Sequence, residues 1–336
     1  MQRTSKGSSR FRDARLLLLV PLAAVVLLYP LLTASFPVYQ RLGALVLLYA
    51  IGASAWNIVG GYAGQVSIGH AVFFGVGAYS AVLAYHYLGL PPIAGVPIGI
   101  LVSVLIAAII GVPTVRLAGH YFSMATIAVA ELTRVMTTTS EFLGGAQGLT
   151  GPTVPRTTLD LSFTSSLPYY YIFLAVLAGV LWLTWRMETS RMGFYLRAIK
   201  DNERAARSLG VMAGRYKLYA FMLSAALTSL AGGLYLTMFG FVDPDSGFGI
   251  LISVKMLIMA ALGGAGLLFG PLVGAAILVP LEEISNSLLG GRGAGLTFVV
   301  YGAIIMIIAR FLPAGLVGLL APLFKKRAAR GDGDAA

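Results

Sequence analysis

Apolar residues fall into long runs separated by short polar, glycine or proline breaks. The runs cover 16–35, 43–59, 66–88, 93–112, 117–136, 169–185, 218–240, 249–268, 271–289 and 295–311. A membrane-spanning helix needs about 20 mostly apolar residues, so each run is long enough to predict one span. The expected fold is therefore all-α: a polytopic transmembrane helical bundle of about ten spans over 16–311. A basic tail (1–15) precedes it and a second tail (312–336) follows. Two connections are longer than turns. One, 137–168, is rich in Thr, Gly, Ser and Pro; the other, 186–217, is rich in Arg, Lys, Glu, Asn and Ala.

Composition sharpens this picture. The 336 residues are 58% hydrophobic and only 11% charged, with a mean hydropathy of +0.85. Soluble domains carry about a quarter charged residues, so soluble and disordered classes are excluded. There is no cysteine, which removes disulfides, thiolate metal sites and a cysteine nucleophile. The net charge is +11. With the N-terminus in the cytoplasm, 19 of the 24 Lys and Arg fall in cytoplasmic segments; the other five are Arg41, Arg134, Arg156, Lys255 and Arg292. This bias puts both termini and 186–217 inside and 137–168 outside. It accounts for the basic character through the membrane surface and lipid, without nucleic acid. The first run exceeds the 7–15 apolar residues of a signal peptide and is expected to be an uncleaved anchor despite Pro21 and Pro30.

Gly60–Tyr79 reads GGYAGQVSIGHAVFFGVGAY. Its glycines permit close helix packing, and they also permit unwound backbone, which survives at membrane depth only inside protein or beside a wet cavity. Gly64, Gln65, Ser67, Gly69, His70, Gly75 and Gly77 are thus candidates for a helix break or for the wall of a translocation path. For His70 a cross-helix hydrogen bond is favoured over solute contact. This stretch resembles the signature of the LivM-type permease family of branched-chain amino acid ABC importers. It matches at Gly64, Ser67, Ile68, Gly69, His70, Ala71, Phe73, Gly75, Gly77, Ala78 and Tyr79. The outer GGxxGLTG at 144–151, the inner stretch from Leu196 through Arg215-Tyr216-Lys217-Leu218 to Phe221, and GGxGxxxGPxxGA at 263–275 are also similar to that family.

In the inner stretch, Ala205-Ala206 followed by Gly210 is similar to the coupling motif of ABC import permeases. That motif needs a short helix with a small face that fits a groove on an ATPase, and Gly210 is placed to end it. Glu203 lies one position early for the general pattern, and no Ile-x-Leu-Pro follows. Arg197, Asn202, Glu203, Ala205, Ala206 and Gly210 are the candidate ATPase-coupling residues.

Ionisable residues inside spans are costly and therefore informative. Glu131 and Arg134, three apart, form a candidate intramembrane pair. Lys255 is expected to snorkel outward, and Glu282 and Glu283 to sit in the outer half of span nine or to begin an outer interfacial helix. No phosphate-binding GxxxxGK[ST] loop, HExxH or GxSxG occurs, and no catalytic or metal constellation is expected. The resemblance implies a non-enzymatic permease subunit of the bacterial inner membrane. It also implies a second homologous permease, two ATPases that bind ATP and Mg, and an extracytoplasmic solute-binding protein. Leucine, isoleucine and valine are the implied cargo. Two alternatives remain open: urea, short amides or aromatic acids as cargo, and an ion-coupled secondary transporter that needs no ATPase.

Overall fold

The computed structural model describes residues 26–288, apart from Ala34, Ala118, 153–159 and Thr164, together with isolated positions between 299 and 318. It is a bundle of helices. A helical stretch at 26–32 leads into α1 (Pro37–Asn57), which runs on as a π-helical turn, Ile58–Tyr62. Then come α2 (Ala71–Leu88), α3 (Pro92–Thr114), α4 (His120–Thr139), α5 (Ser166–Thr189), α6 (Arg191–Asp201), α7 (Glu203–Ser208), α8 (Ala213–Phe239), α9 (Pro244–Phe248), α10 (Ile250–Gly263) and α11 (Gly270–Leu288).

The helix ends follow from local chemistry. Pro37 and Pro92 open α1 and α3, where the missing N–H costs nothing. Gly89 and Gly240 close α2 and α8 in the left-handed conformation. Asp243 caps α9 through a reciprocal pair of bonds with Ser246.

Among the described residues, six segments are long and apolar enough to cross a membrane: Pro37–Tyr62, Ala71–Leu88, Pro92–Thr114, Ser166–Thr189, Ala213–Phe239 and Pro244–Gly263. The predicted runs 117–136 and 271–289 appear as α4 and α11, which have the length but not the same apolarity. The first and tenth runs lie largely outside the described residues. Boundaries move in both directions: α1 and α8 start before their predicted runs, at Pro37 and Ala213. The run predicted from 66 starts as helix only at Ala71, and the run predicted to 268 ends at Gly263. Glycine-permitted turns occupy both intervals.

Helix α1 is the central rod of one half, packed against α5, α8, α10 and α11. Leu48, Ile51, Trp56, Phe173, Met256 and Met259 are buried in that half. In the other half α2 is wedged between α3 and α8. Its two motif glycines explain the closeness. A Cβ on Gly77 would strike the Ser229 carbonyl of α8, and one on Gly75 would strike the Phe248 ring of α9. On the predicted outer side, strand β1 (Leu149–Thr150) pairs antiparallel with β2 (Phe241–Val242), in the register Leu149↔Val242.

Candidate functional site

The GGYAGQVSIGHA stretch is the joint between α1 and α2. After the π-helical turn the chain is unwound over 63–70, and its backbone groups are met by side chains from three helices. Trp56 Nε1 of α1 donates to the Ser67 carbonyl at 2.7 Å. Ser123 Oγ of α4 donates to the Val66 carbonyl at 2.5 Å, and Thr126 Oγ1 accepts from Ile68 N at 3.1 Å. Ser253 Oγ of α10 accepts from Ala71 N at 2.7 Å. Non-helical backbone is tolerated in a membrane protein on this condition, that protein replaces the missing ladder.

His70 is fully buried at this joint. Its Nε2 lies 2.8 Å from Ser224 Oγ, and the Ser224 hydroxyl donates to the Ala55 carbonyl at 2.6 Å. With its one proton used there, Ser224 can only accept from His70. The imidazole therefore carries its proton on Nε2, and Nδ1 accepts from the Ser67 hydroxyl at 2.9 Å. His70 staples α1, α2 and α8 together. Gly64 has φ +70°, and a Cβ there would meet Lys200. Gly69 is pressed against the Thr126 backbone. Gln65 is buried with neither amide atom hydrogen-bonded.

The 186–217 connection folds as two helices, α6 and α7, with a break at Asn202. Asn202 caps α7, its Oδ1 accepting from Ala205 N at 3.1 Å. Gly210, at φ +85°, follows the helix end. Ala205 is exposed but Ala206 is buried against Ile199 and Ala213. The alanine pair therefore does not present one small outward face, because α7 uses half of it to pack on α6 and α8. Leu209 projects outward instead, 85% exposed, with Met212 and Phe194 also open.

Three polar ties bind this unit to the spans. Lys200 Nζ donates to the Gly61 carbonyl at 2.7 Å. Arg197 Nη2 donates to the Glu188 carbonyl at 2.9 Å and Nη1 pairs with the Glu188 carboxylate at 3.4 Å; that carboxylate also accepts from Tyr62 at 3.2 Å. Glu203 bridges Arg207 at 2.5 Å and the buried Lys217 of α8 at 2.6 Å. Burial pushes the Glu203 carboxyl upward, but the hydrogen bonds and charges of Lys217 and Arg207 outweigh it and hold it below its ordinary range.

The glycine-rich stretch at 263–275 meets the same joint. Asn57 Oδ1 accepts from Gly266 N at 2.8 Å, and Asn57 Nδ2 donates to the Leu267 carbonyl at 3.1 Å. Gly266, at φ +87°, lies in the turn between α10 and α11. Three motifs far apart in sequence thus converge on the C-terminal end of α1.

The ionisable pair Glu131–Arg134 forms, and Arg134 also reaches Asp245 of α9 at 2.9 Å. Lys255 departs from expectation. It does not snorkel: it pairs with Glu282 of α11 at 2.5 Å, both side chains largely buried, and its ammonium lies 5.5 Å from the Tyr49 ring centre. An acid on the neighbouring helix offers a stronger partner than the interface. Sequence reasoning did not single out Asn57, Tyr62, Glu188 or Asp245, whose roles depend on partners on other helices.

This architecture matches a known family. Residues 39–309 fit the family described as branched-chain amino acid transport system / permease component, and the chain belongs to it. It is a membrane transport subunit rather than an enzyme. It is 27% identical to the high-affinity branched-chain amino acid transport system permease protein LivM of Salmonella typhimurium, over 95% of this chain and 79% of that one. The LivH permease protein of the same organism is 32% identical over 44% of each chain. The autoinducer 2 import system permease protein LsrC of an Enterobacter species is 25% identical over 78% of this chain and 77% of its own.

Proposed function

We propose that the chain is one of two paired permeases of an ABC importer that carries leucine, isoleucine and valine across the bacterial inner membrane. It crosses ten times with both termini in the cytoplasm, in keeping with the segregation of its basic residues. Two ATPases, which bind ATP and Mg, dock on α6–α7, and a solute-binding protein delivers cargo on the outer side. The LivM and LivH names of two relatives support both the cargo and the pairing of unlike permeases.

The observation that carries this reading is the physical joint between α6–α7 and the break below α2. A helix pair in which Asn202 caps α7, Leu209 beyond it is exposed and Lys200 of α6 is tied to Gly61 transmits displacement into the bundle. Such coupling needs a bistable element biased by a partner. The unwound 63–70 segment supplies it, since it and Ala71 are bonded to four separate helices, α1, α4, α8 and α10. A second reading keeps the machine and changes the cargo, as the autoinducer 2 import name of one relative suggests. The ion-coupled alternative loses Lys255 as a free relay group, because Glu282 holds it.

Co-purification tests the proposal. A tagged chain should bring down a second permease and two ATPases. Leu209→Asp or Gly210→Trp should lose the ATPases and keep the second permease. Burying one leucine contributes about 1.5–3 kcal/mol, so the aspartate variant should bind ATPase roughly tenfold or more weakly. Recovery of a lone homodimer with ion-driven uptake overturns the importer reading.

A further inference from the structure

Helix α5 meets protein on one side only. Phe173, Leu177, Val180, Thr184 and Met187 recur every three or four residues and are buried in the half built on α1. The opposite side is bare. Ala175, Ala178 and Gly179 are exposed on it, and a Cβ added at Gly179 would meet no atom within 4 Å. Further along the same face come Trp182 and Trp185, 61 and 49% exposed, and then Arg186. The chain has three tryptophans. Trp56 is buried in the core, and the other two share this face. Indoles near the end of a span settle at headgroup level, where the ring is covered and its N–H finds a polar partner.

The corner after α5 adds charge. Ser190 N and Oγ both donate to the Met187 carbonyl, at 3.1 and 2.7 Å, and α6 starts at Arg191. Gly193 lets α6 close on the end of α5, since a Cβ there would strike the Glu188 carbonyl. Arg186 and Arg191 thus flank one tight corner. Both are exposed, and neither has a hydrogen-bond or ion-pair partner among the described residues. Glu188, which lies between them in sequence, is already taken by Arg197 and Tyr62. Lys200, Arg207 and Lys217 of the same connection are engaged as well.

Two unpaired guanidinia beside two exposed indoles, at the end of a bare helix face, fit one chemistry: a phosphodiester that carries acyl chains. A guanidinium grips phosphate oxygens with two parallel hydrogen bonds. Two cations with no acid of their own favour a headgroup whose phosphate is not offset by a choline. The small residues above them leave a furrow for a chain. The exposed face of α3 is different: Ile98, Leu101, Leu105 and Ile109 suit any acyl chain and select none.

We propose that Arg186 and Arg191 hold the phosphate of an anionic phospholipid, with Trp182 and Trp185 at its glycerol level and one acyl chain along Ala175, Ala178 and Gly179. The lipid spans the corner between α5 and α6, and so braces the unit that Lys200 ties to Gly61. The inference goes beyond the transport reading and stands without it, because it needs only that α5 crosses a membrane.

The test uses the full-length chain, with the subunits that co-purify, in phosphatidylcholine vesicles. A trace of phosphatidylglycerol or of phosphatidylcholine is added, each bearing the same photoreactive acyl chain, and labelled peptides are mapped by mass spectrometry. One arginine beside an anionic headgroup is worth roughly fivefold in occupancy, so the phosphatidylglycerol probe should label 175–194 at least about fivefold more than its counterpart. Arg186→Gln with Arg191→Gln should bring the two probes level. Arg186→Lys with Arg191→Lys should keep most of the preference. Arg204→Gln with Arg215→Gln removes the same charge elsewhere and should leave it unchanged. Equal labelling of the wild-type chain by both probes means an ordinary lipid annulus and overturns the site. So does an equal fall in the Arg204 and Arg215 variant, which makes the preference one of overall charge. Absence of label from either probe puts protein on this face, the chain's own first run or a second permease, and overturns it too.

Discussion

The ammonium of Lys200 on α6 donates a 2.7 Å hydrogen bond to the carbonyl of Gly61, in the π-helical turn that ends α1. That carbonyl belongs to the last turn before the chain unwinds, where its helical partner is missing. A side chain of the α6–α7 connection therefore completes the C-terminal end of a membrane helix. Glycine at 61 also admits the turn at Gly266, since a Cβ there would strike the Gly266 backbone and the Asn57 amide. Lys200→Met should leave the spans folded, because a half-exposed bond of this kind contributes about 1 kcal/mol. It should lower cargo-stimulated ATP hydrolysis in the assembled complex several-fold while ATPase recovery stays normal. Unchanged stimulation in that variant would show that the tie carries no coupling.

Glu203 and Lys217 make the second test. Lys217 is 4% exposed and its ammonium meets Glu203 at 2.6 Å. Removing the acid strands a buried cation, a loss of about 3 kcal/mol before discounting for the part-exposed Glu203. Glu203→Gln should detach α7, seen as faster backbone hydrogen exchange over 203–208. The pH dependence has a definite sign. A carboxyl held below its unfolded value contributes stability above the ordinary carboxylate range and loses it as pH falls through the lowered value. The wild-type loop should therefore keep its protection down to about pH 4.5, the ordinary glutamate range, and lose it only below. Loss of protection already near pH 6 would contradict the pairing.

These examples also mark what a single sequence discloses. Gly210 beyond the last turn was legible, because a helix stop depends on residues a few positions apart; Asn202 was read only as a coupling residue, and its cap on α7 came from the structure. The break near Gly64–His70 was legible as a place where glycine and small hydroxyls interrupt an apolar run. The fate of the alanine pair was not, since burial of Ala206 depends on Ile199 and Ala213 closing over it. Arg134–Asp245 spans 111 positions and Asn57–Gly266 spans 209. Such pairs are set by the register of one helix against another, which no local pattern encodes. Lys255 was misjudged for the same reason: snorkelling is the answer for a lone lysine, and Glu282 of α11 made it paired.

His70 supplies a third prediction. Ser224→Ala removes the acceptor of its Nε2 proton in a site with no exposure. An unmet buried donor costs about 1–3 kcal/mol. The variant should unfold at a lower temperature in detergent, and His70→Phe should be at least as damaging because it also frees the Ser67 hydroxyl. Full stability of Ser224→Ala would mean that the staple does not hold α8 to the joint.

The Lys255–Glu282 pair distinguishes a structural from a moving role. It joins α10 to α11 beside Tyr49 of α1, where few solvent molecules share the load. Breaking one side leaves an isolated charge among apolar groups, whereas replacing both by shape-matched apolar residues removes the demand altogether. Glu282→Leu alone should sharply reduce the yield of folded chain. Lys255→Met with Glu282→Leu should restore yield to near that of the parent. Uptake by the double variant then separates the possibilities. Parent-like uptake means that the pair only clamps α10 to α11. Restored folding with uptake reduced tenfold or more means that the two helices must part and re-form this bond in each cycle, since the apolar substitute closes as well but lacks a polar open state.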